Sequence, residues 1–186
     1  MSSSATVSSE TTMKNLIAAF QGESNASAKY AAFAKKADEE GYGRVASLFR
    51  AASRAEQIHA ANHLRVIEKM GGKTVAKIDP LHIGATADNL KAAIAGEEYE
   101  RDVMYPGFIK EAEAQANSAA IRTFQWALEA EAEHARMYTD ALKHLNKQRT
   151  KTVFYVCIVC GYTTDDQDMM RCAVCNTPRE KFEKIE

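Results

Sequence analysis

Glutamate and histidine stand in this chain at positions where a helix would ordinarily bury leucine. The spacing Glu56-x-x-His59 recurs as Glu131-x-x-His134, and single glutamates, Glu23 and Glu97, follow Gly22 and Gly96. Residues three apart on a helix project to one side, so each pair offers a carboxylate and an imidazole to the same point. All lie on otherwise apolar stripes: Leu16, Phe20, Glu23 and Tyr30 share one, and Val45, Phe49, Ala52, Glu56, His59, His63 and Val66 share another. An ionised carboxylate buried without a partner costs several kcal/mol, a cost that bound metal ions offset. Two Glu-x-x-His pairs plus one glutamate from each of two further helices is the ligand pattern of di-iron and di-manganese bundles. Glu100 adds a fifth carboxylate one turn beyond Glu97, which leaves about −1 of charge on two divalent ions.

A second set of donors lies near the C-terminus. All four cysteines fall within it, as Cys157-x-x-Cys160 and Cys172-x-x-Cys175 with eleven residues between the pairs. Two such knuckles supply four thiolates to one tetrahedral metal, and in so short a module the metal also supplies folding energy. Iron and zinc both suit four sulfurs, so spacing alone does not choose between an electron carrier and a structural zinc ribbon. The redox-capable carboxylate site nearby favours iron.

Four helices are needed to carry the first set. Helical periodicity runs from about Thr12 to about Leu145, interrupted at Gly41–Gly43, at Gly71-Gly72 and near Asn117-Ser118. Residues 72–86 lack the period and contain Asp79-Pro80; they are longer than a hairpin needs and suit a crossover along the bundle. Pro106 predicts a kink in the third helix. The expected organisation is a disordered serine-rich leader over 1–10, a ferritin-like four-helix bundle over 11–146, a polar linker over 147–152 and a small β/knuckle metal domain over 153–186. The bundle also repeats itself. Ala18–Glu23 resembles Ala92–Glu97, and Ala55–Ala60 resembles Ala130–Ala135, at offsets of 74 and 75 residues. Two helix pairs therefore read as copies of one hairpin around a pseudo-two-fold axis. Tyr30 and Tyr105, two turns beyond Glu23 and Glu97, are candidates to donate hydrogen bonds to the site. His63 reads as a supporting or core histidine, and His82 and His144 as solvent-facing.

Composition narrows the class further. Lys and Arg total 24 against 25 Asp and Glu, a formal charge of −1, which provides no basic field for nucleic acid or an anionic membrane. No apolar run approaches a membrane span and no signal-peptide pattern opens the chain, so a cytoplasmic location is expected.

Taken together, Gly22-Glu23, Glu56-x-x-His59, Gly96-Glu97-x-x-Glu100, Met104-Tyr105-Pro106, Glu131-x-x-His134 and the tail with Cys160-Gly161-Tyr162 resemble a rubrerythrin over nearly the whole chain. The resemblance implies a non-haem di-iron peroxidase that reduces hydrogen peroxide to water, with electrons entering through a rubredoxin-like Fe(Cys)4 centre from a donor protein. It implies that Glu56 and Glu131 bridge two irons, that Glu23 and Glu97 are terminal, and that His134 holds one iron throughout. His59 and Glu100 would exchange on the other iron, with Tyr30 and Tyr105 as donors to the carboxylates. It also implies a homodimer or higher homo-oligomer in which one subunit's tail approaches the other's di-iron centre. Ile158 and Ala173 stand where relatives often place proline, and Asp165, Asp166 and Asp168 make the loop between the knuckles acidic. Two other uses of the same sites are Fe(II) oxidation or iron handling as in ferritins, and non-enzymatic metal binding with a zinc tail.

Overall fold

The computed structural model describes residues 3–186, with side chains from Glu10 onward. Helices α1 (Ser3–Glu39), α2 (Gly43–Lys69), α3 (Thr86–Tyr99), α4 (Tyr105–Ala114) and α5 (Ser118–Lys143) make up the first part of the chain. A π-helical turn, Glu100–Met104, joins α3 to α4, so the bundle has four rods as expected. The break foreseen at Pro106 lies just ahead of it, in this π turn. Pro106 itself sits in the first turn of α4, directly after the π turn.

Helix ends follow local chemistry. Gly41 and Gly71 adopt the left-handed conformation, with φ of 75° and 82°, and Gly72 N–H returns to Ile67 O at 2.9 Å. Asn117 caps α5 by accepting from Ala120 N at 3.0 Å. The stretch expected as a disordered leader is helical from Ser3 onward, while its first two residues lie outside the described ones. Once the turns at Thr12 and Leu16 are anchored in the core, adding helical residues upstream costs little, because propagation is far easier than nucleation.

The core falls into two apolar blocks. One holds Tyr30, Phe33, Val45, Phe49, Leu90 and Tyr138; the other holds Leu16, Phe20, Ile67, Tyr105 and Phe124. Glu23, Glu56, Glu97 and Glu131 come between these blocks along every rod. The order of the blocks reverses from α1 to α2 and from α4 to α5, so those neighbours are antiparallel. It does not reverse from α2 to α3. The connection must therefore travel the length of the bundle, which residues 70–85 do in extended, largely exposed form. At 1.5 Å per residue α2 spans about 40 Å, and sixteen extended residues reach that far.

The tail is a three-stranded antiparallel sheet of β1 (Phe154–Cys157), β2 (Thr163–Thr164) and β3 (Phe182–Ile185), in the order β2-β1-β3. It packs on the chain's own bundle, where Phe154 and Val156 join the block containing Val45 and Phe49. Arg44 pairs with Asp165 at 2.5 Å and Arg54 with Glu183 at 2.8 Å along the seam. Exposed pairs of this kind contribute about 0–1 kcal/mol each, whereas burying one Phe or Val side chain contributes about 1.5–3 kcal/mol, so the apolar contacts dominate. The polar linker is itself tied down: Gly43 N–H donates to Arg149 O at 3.2 Å and Arg44 N–H to Gln148 O at 3.1 Å. Among the described residues no helix is long and apolar enough to cross a membrane.

Candidate metal centres

The charged layer of the bundle brings six of the expected residues together. Glu23, Glu56, His59, Glu97, Glu131 and His134 are each at most 1% exposed. Both imidazoles turn Nδ1 inward. His59 Nδ1 lies 2.8 Å from Glu56 Oε2, 3.1 Å from Glu131 Oε1 and 3.8 Å from Glu23 Oε1. His134 Nδ1 lies 3.0 Å from Glu131 Oε2, 3.3 Å from Glu56 Oε1 and 3.7 Å from Glu97 Oε1. Glu56 and Glu131 thus each send one oxygen to either histidine, while Glu23 and Glu97 each serve one. The donors form two overlapping groups, Glu23–Glu56–His59–Glu131 and Glu56–Glu97–Glu131–His134, each within 4.8 Å.

These atoms converge without satisfying one another. Both oxygens of Glu131, Glu23 Oε2, Glu56 Oε1 and His134 Nδ1 are buried and lack a hydrogen bond of good geometry. Orphaned buried donors and acceptors on this scale are what a pair of cations at the centre would satisfy, so the residues fit a di-metal group. Without metal, protons must share the balancing. Burial, with Glu131 alongside, raises the Glu56 carboxyl; burial, with Glu56 and Glu131, raises Glu97 further. Burial disfavours the charged form of each histidine, yet Glu131 beside His59 and Glu56 beside His134 hold both well above the usual imidazole range. Glu23 goes the other way. Burial would raise it, but hydrogen bonding to His59 and His63 keeps it low.

The supporting residues cross between the repeats. Tyr30 on α1 donates to Glu97 Oε1 at 2.6 Å, and Tyr105 donates to Glu23. His63 bridges Tyr105 Oη at 3.2 Å and Thr123 Oγ1 at 3.0 Å. Glu100 is not drawn into either cluster. It opens the π turn, is half-buried, and lies beside Gly22, with Oε1 3.8 Å from where a Cβ on that glycine would stand. Burial and the nearby Glu23 raise its carboxyl well above the ordinary value. His82 is exposed, and His144 is half-buried at the end of α5, where Nδ1 lies 3.0 Å from Asp140 Oδ1.

Three contacts were not foreseen. Tyr138 packs 6.3 Å from the His134 ring with its hydroxyl unpartnered. It stands 75 residues after His63, the offset of the second repeat, and that register was the available signal. Thr123 and Thr163 had none, because their neighbours are distant in sequence. Thr163 Oγ1 lies 3.1 Å from His134 Nε2. On the other histidine, Gly161 sits so close that a methyl there would overlap the His59 ring around Nε2. The outer nitrogens of both histidines therefore face one short stretch of the cysteine module.

That module has its own cage. The four sulfurs lie within 4.8 Å of one another, with Cys157–Cys175 at 3.7 Å and Cys160–Cys172 at 3.5 Å. Metal–sulfur bonds of about 2.3 Å at a tetrahedral centre place sulfurs about 3.8 Å apart, whereas a disulfide needs about 2.05 Å. The spacing fits the former. Each knuckle ends in a left-handed residue, Gly161 at φ 84° and Asn176 at φ 58°, the two residue types that best tolerate that conformation. The thiols do not share protons evenly: the pKa of Cys157 is pushed up to about 12, and that of Cys172 is lowered mainly by hydrogen bonding from Cys157.

Comparison with known proteins agrees with both halves. The rubrerythrin family matches residues 14–142, and the rubredoxin-like domain of rubrerythrin matches residues 155–183. Nigerythrin of Nitratidesulfovibrio vulgaris is 36% identical over 173 residues, covering 92% of this chain and 85% of that protein. Rubrerythrin-2 of Clostridium acetobutylicum is 34% identical over 171 residues, covering 90% and 93%. A structure of nigerythrin in its fully reduced, all-ferrous state superposes with a TM-score of 0.87 at 36% identity, covering 93% of this chain and 86% of the other. A bacterioferritin of Desulfovibrio desulfuricans, at 22% identity and a TM-score of 0.71, shares the fold.

Proposed function

This chain belongs to the rubrerythrin family, and we propose that it reduces hydrogen peroxide to water, with electrons entering through the cysteine module. The charged layer of the bundle is the family's di-iron site, and the four cysteines form its rubredoxin-like site. When bound, the iron pair supplies two electrons, one per ion, so peroxide accepts both without a radical leaving the site. In this reading Glu56 and Glu131 would serve both irons, Glu23 and Glu97 would each serve one, and His134 would hold one iron. His59 and Glu100 would be alternative ligands of the other; His59 lies inside the donor cluster and Glu100 lies beside Gly22.

One observation carries the proposal: the knuckle stretch from Gly161 to Thr163 rests on the outer sides of both histidines. Cys160 adjoins Gly161, so an electron leaving the cysteine cage has a short covalent and packed route to either metal ligand. Fe(II) oxidation by a ferritin-like protein needs no such donor. The chain's own residues do the rest. Tyr30 and Tyr105 hold the terminal carboxylates in place, Thr163 fixes the His134 ring through Nε2, and the two apolar blocks exclude water from either side. Supply of electrons to the cysteine site falls to a separate reductase or small redox protein, and a homo-oligomer is the expected assembly.

The test is stopped-flow mixing of the anaerobically reduced, iron-loaded protein with stoichiometric hydrogen peroxide. Both iron centres should oxidise rapidly, and faster than with oxygen. Oxygen reacting at least as fast would transfer the assignment to iron oxidation. Zinc in place of iron in the cysteine cage, seen by metal analysis of native protein, would remove the electron route.

A further inference from the structure

The duplicated Gly-Glu pattern has two halves, and the metal site uses only the glutamates. Gly22 and Gly96 instead line a pocket of about 340 Å³ between α1 and α3, roofed by the crossover. Its walls combine Ala26, Phe33, Leu81 and Tyr30 with the polar Lys29, His82 and Glu100. Tyr30 is hydrogen-bonded to Glu97, so the pocket abuts the charged layer directly. Two amide side chains of α1 pin the roof. Gln21 bonds Val75 O at 2.6 Å and Lys77 N at 3.0 Å, and Asn25 bonds Lys77 O at 3.0 Å and Asp79 N at 2.8 Å. Such a cavity is preformed rather than a gap between mobile segments.

Its size does not suit hydrogen peroxide alone. Peroxide has two heavy atoms and needs little more room than two waters, at roughly 30 Å³ each. Pockets above about 300 Å³ that pair an apolar wall with polar groups hold small organic molecules. The glycines keep this one open. A Cβ on Gly22 would stand 3.8 Å from Glu100 Oε1, and one on Gly96 would stand 3.8 Å from Lys29 Nζ and 4.0 Å from Tyr30 Oη. Both methyls would fit without moving the backbone and would occupy pocket space next to the site. In mid-helix, alanine would be the more stable choice at either position, so glycine is retained here against helix propensity.

We propose that this pocket admits organic hydroperoxides bearing a small apolar group, and that Gly22 and Gly96 set the size it accepts. The inference rests on the peroxidase reading. The step is ROOH + 2 e⁻ + 2 H⁺ → ROH + H₂O: the O–O bond breaks, the R–O bond stays, and the distal oxygen leaves as water. Electrons come from the ferrous pair, replenished through the cysteine site.

The experiment mixes reduced, iron-loaded protein with hydrogen peroxide and, separately, cumene hydroperoxide, for the native chain and the Gly22→Ala, Gly96→Ala double variant. Alongside, cumyl alcohol, the unreactive product, is titrated into metal-free protein while the Gly22 and Gly96 amides are followed by NMR. The native chain should be oxidised by cumene hydroperoxide within about tenfold of the hydrogen peroxide rate, and the alcohol should shift both amides. The double variant should lower the ratio of the two rates at least tenfold and weaken alcohol binding, while melting no lower than the native chain. Oxidation by hydrogen peroxide but not by cumene hydroperoxide overturns this inference and leaves the peroxidase reading intact. If neither oxidises the protein, both fall. A ratio unchanged in the double variant removes the role of the glycines.

Discussion

The two halves of the charged layer descend from one repeated pattern and behave differently. Around His59 the carboxylate Glu23 is held low, after burial is overcome by hydrogen bonds to His59 and His63. Around His134 the carboxylate Glu97 is raised, by burial and by Glu56 and Glu131. Both accept a hydrogen bond from a tyrosine, so the tyrosines are not the cause. The difference lies one turn beyond each Glu-x-x-His pair, where one repeat has His63 and the other Tyr138. His63 continues into a polar chain through Tyr105 and Thr123. Tyr138 sits in an aromatic cluster, 5.6 Å from Tyr30 and 5.1 Å from Phe49, and offers no partner. His63 and Tyr138 thus surround equivalent ends of the duplicated hairpin with a polar chain on one side and an aromatic cluster on the other.

The largest effect should come from erasing what the halves share. Glu131→Ala removes the oxygens facing both histidines, so metal affinity should fall by at least ~100-fold at both positions, whereas Glu97→Ala should spare the His59 half. Iron content and the Mössbauer spectrum of each variant check this. If Glu131→Ala lost only one iron, the bridging assignment would be wrong.

Next is the response to pH without metal. Glu56, Glu97, Glu100, His59 and His134 all have raised pKa values. A raised group contributes stability that is complete below its unfolded value, 4.5 for the carboxyls and 6.5 for the imidazoles, and that is lost as pH rises through the folded value. Glu23, being lowered, acts oppositely, with its contribution present above 4.5 and lost on acidification. Within this window two further lowered groups, His63 and Cys172, also act oppositely, and the five raised groups outnumber them. Metal-free protein should therefore melt at lower temperature as pH rises from about 5 to about 8.5, and loading with divalent metal should flatten the slope by displacing those protons. Thermal melts across that range would contradict the proton-sharing picture if the metal-free slope were flat or rising.

Two smaller changes separate the halves directly. His63→Leu strands the Thr123 hydroxyl and takes one partner from Tyr105, which keeps its bond to Glu23, and should cost about 1–3 kcal/mol of stability. Chemical denaturation measures it. Tyr138→Phe removes a hydroxyl that already lacks a partner and should change stability by less than about 0.5 kcal/mol in either direction. Equal costs for the two would erase the distinction between the half-sites.

Much of the site was legible because its determinants are local. A Glu three residues before a His shares a helix face wherever that helix goes, and two cysteines two residues apart close a knuckle in any context. The crossover was legible from the loss of period over 72–86, and the duplicated hairpin from the repeated hexamers. Pro106 signalled a disturbance in the third helix, although the π turn that relieves it begins at Glu100. Over Ser3–Glu10 composition reports weak burial and says nothing of the low cost of extending the helix that continues to Glu39.

What the sequence alone determined is the chemistry: which side chains are donors, how many there are, and that they must meet in two separate cages. Only the tertiary structure decided how those donors are shared. It placed one oxygen of Glu56 and of Glu131 on each histidine, left Glu100 beside Gly22, and brought Gly161 and Thr163 onto the outer nitrogens of His59 and His134. The physical reason is range. Helical spacing acts over one or two turns, whereas the contact of Thr163 with His134, or of Gly161 with His59, joins residues whose approach is set only when the apolar blocks close and the tail docks on α2 and α5.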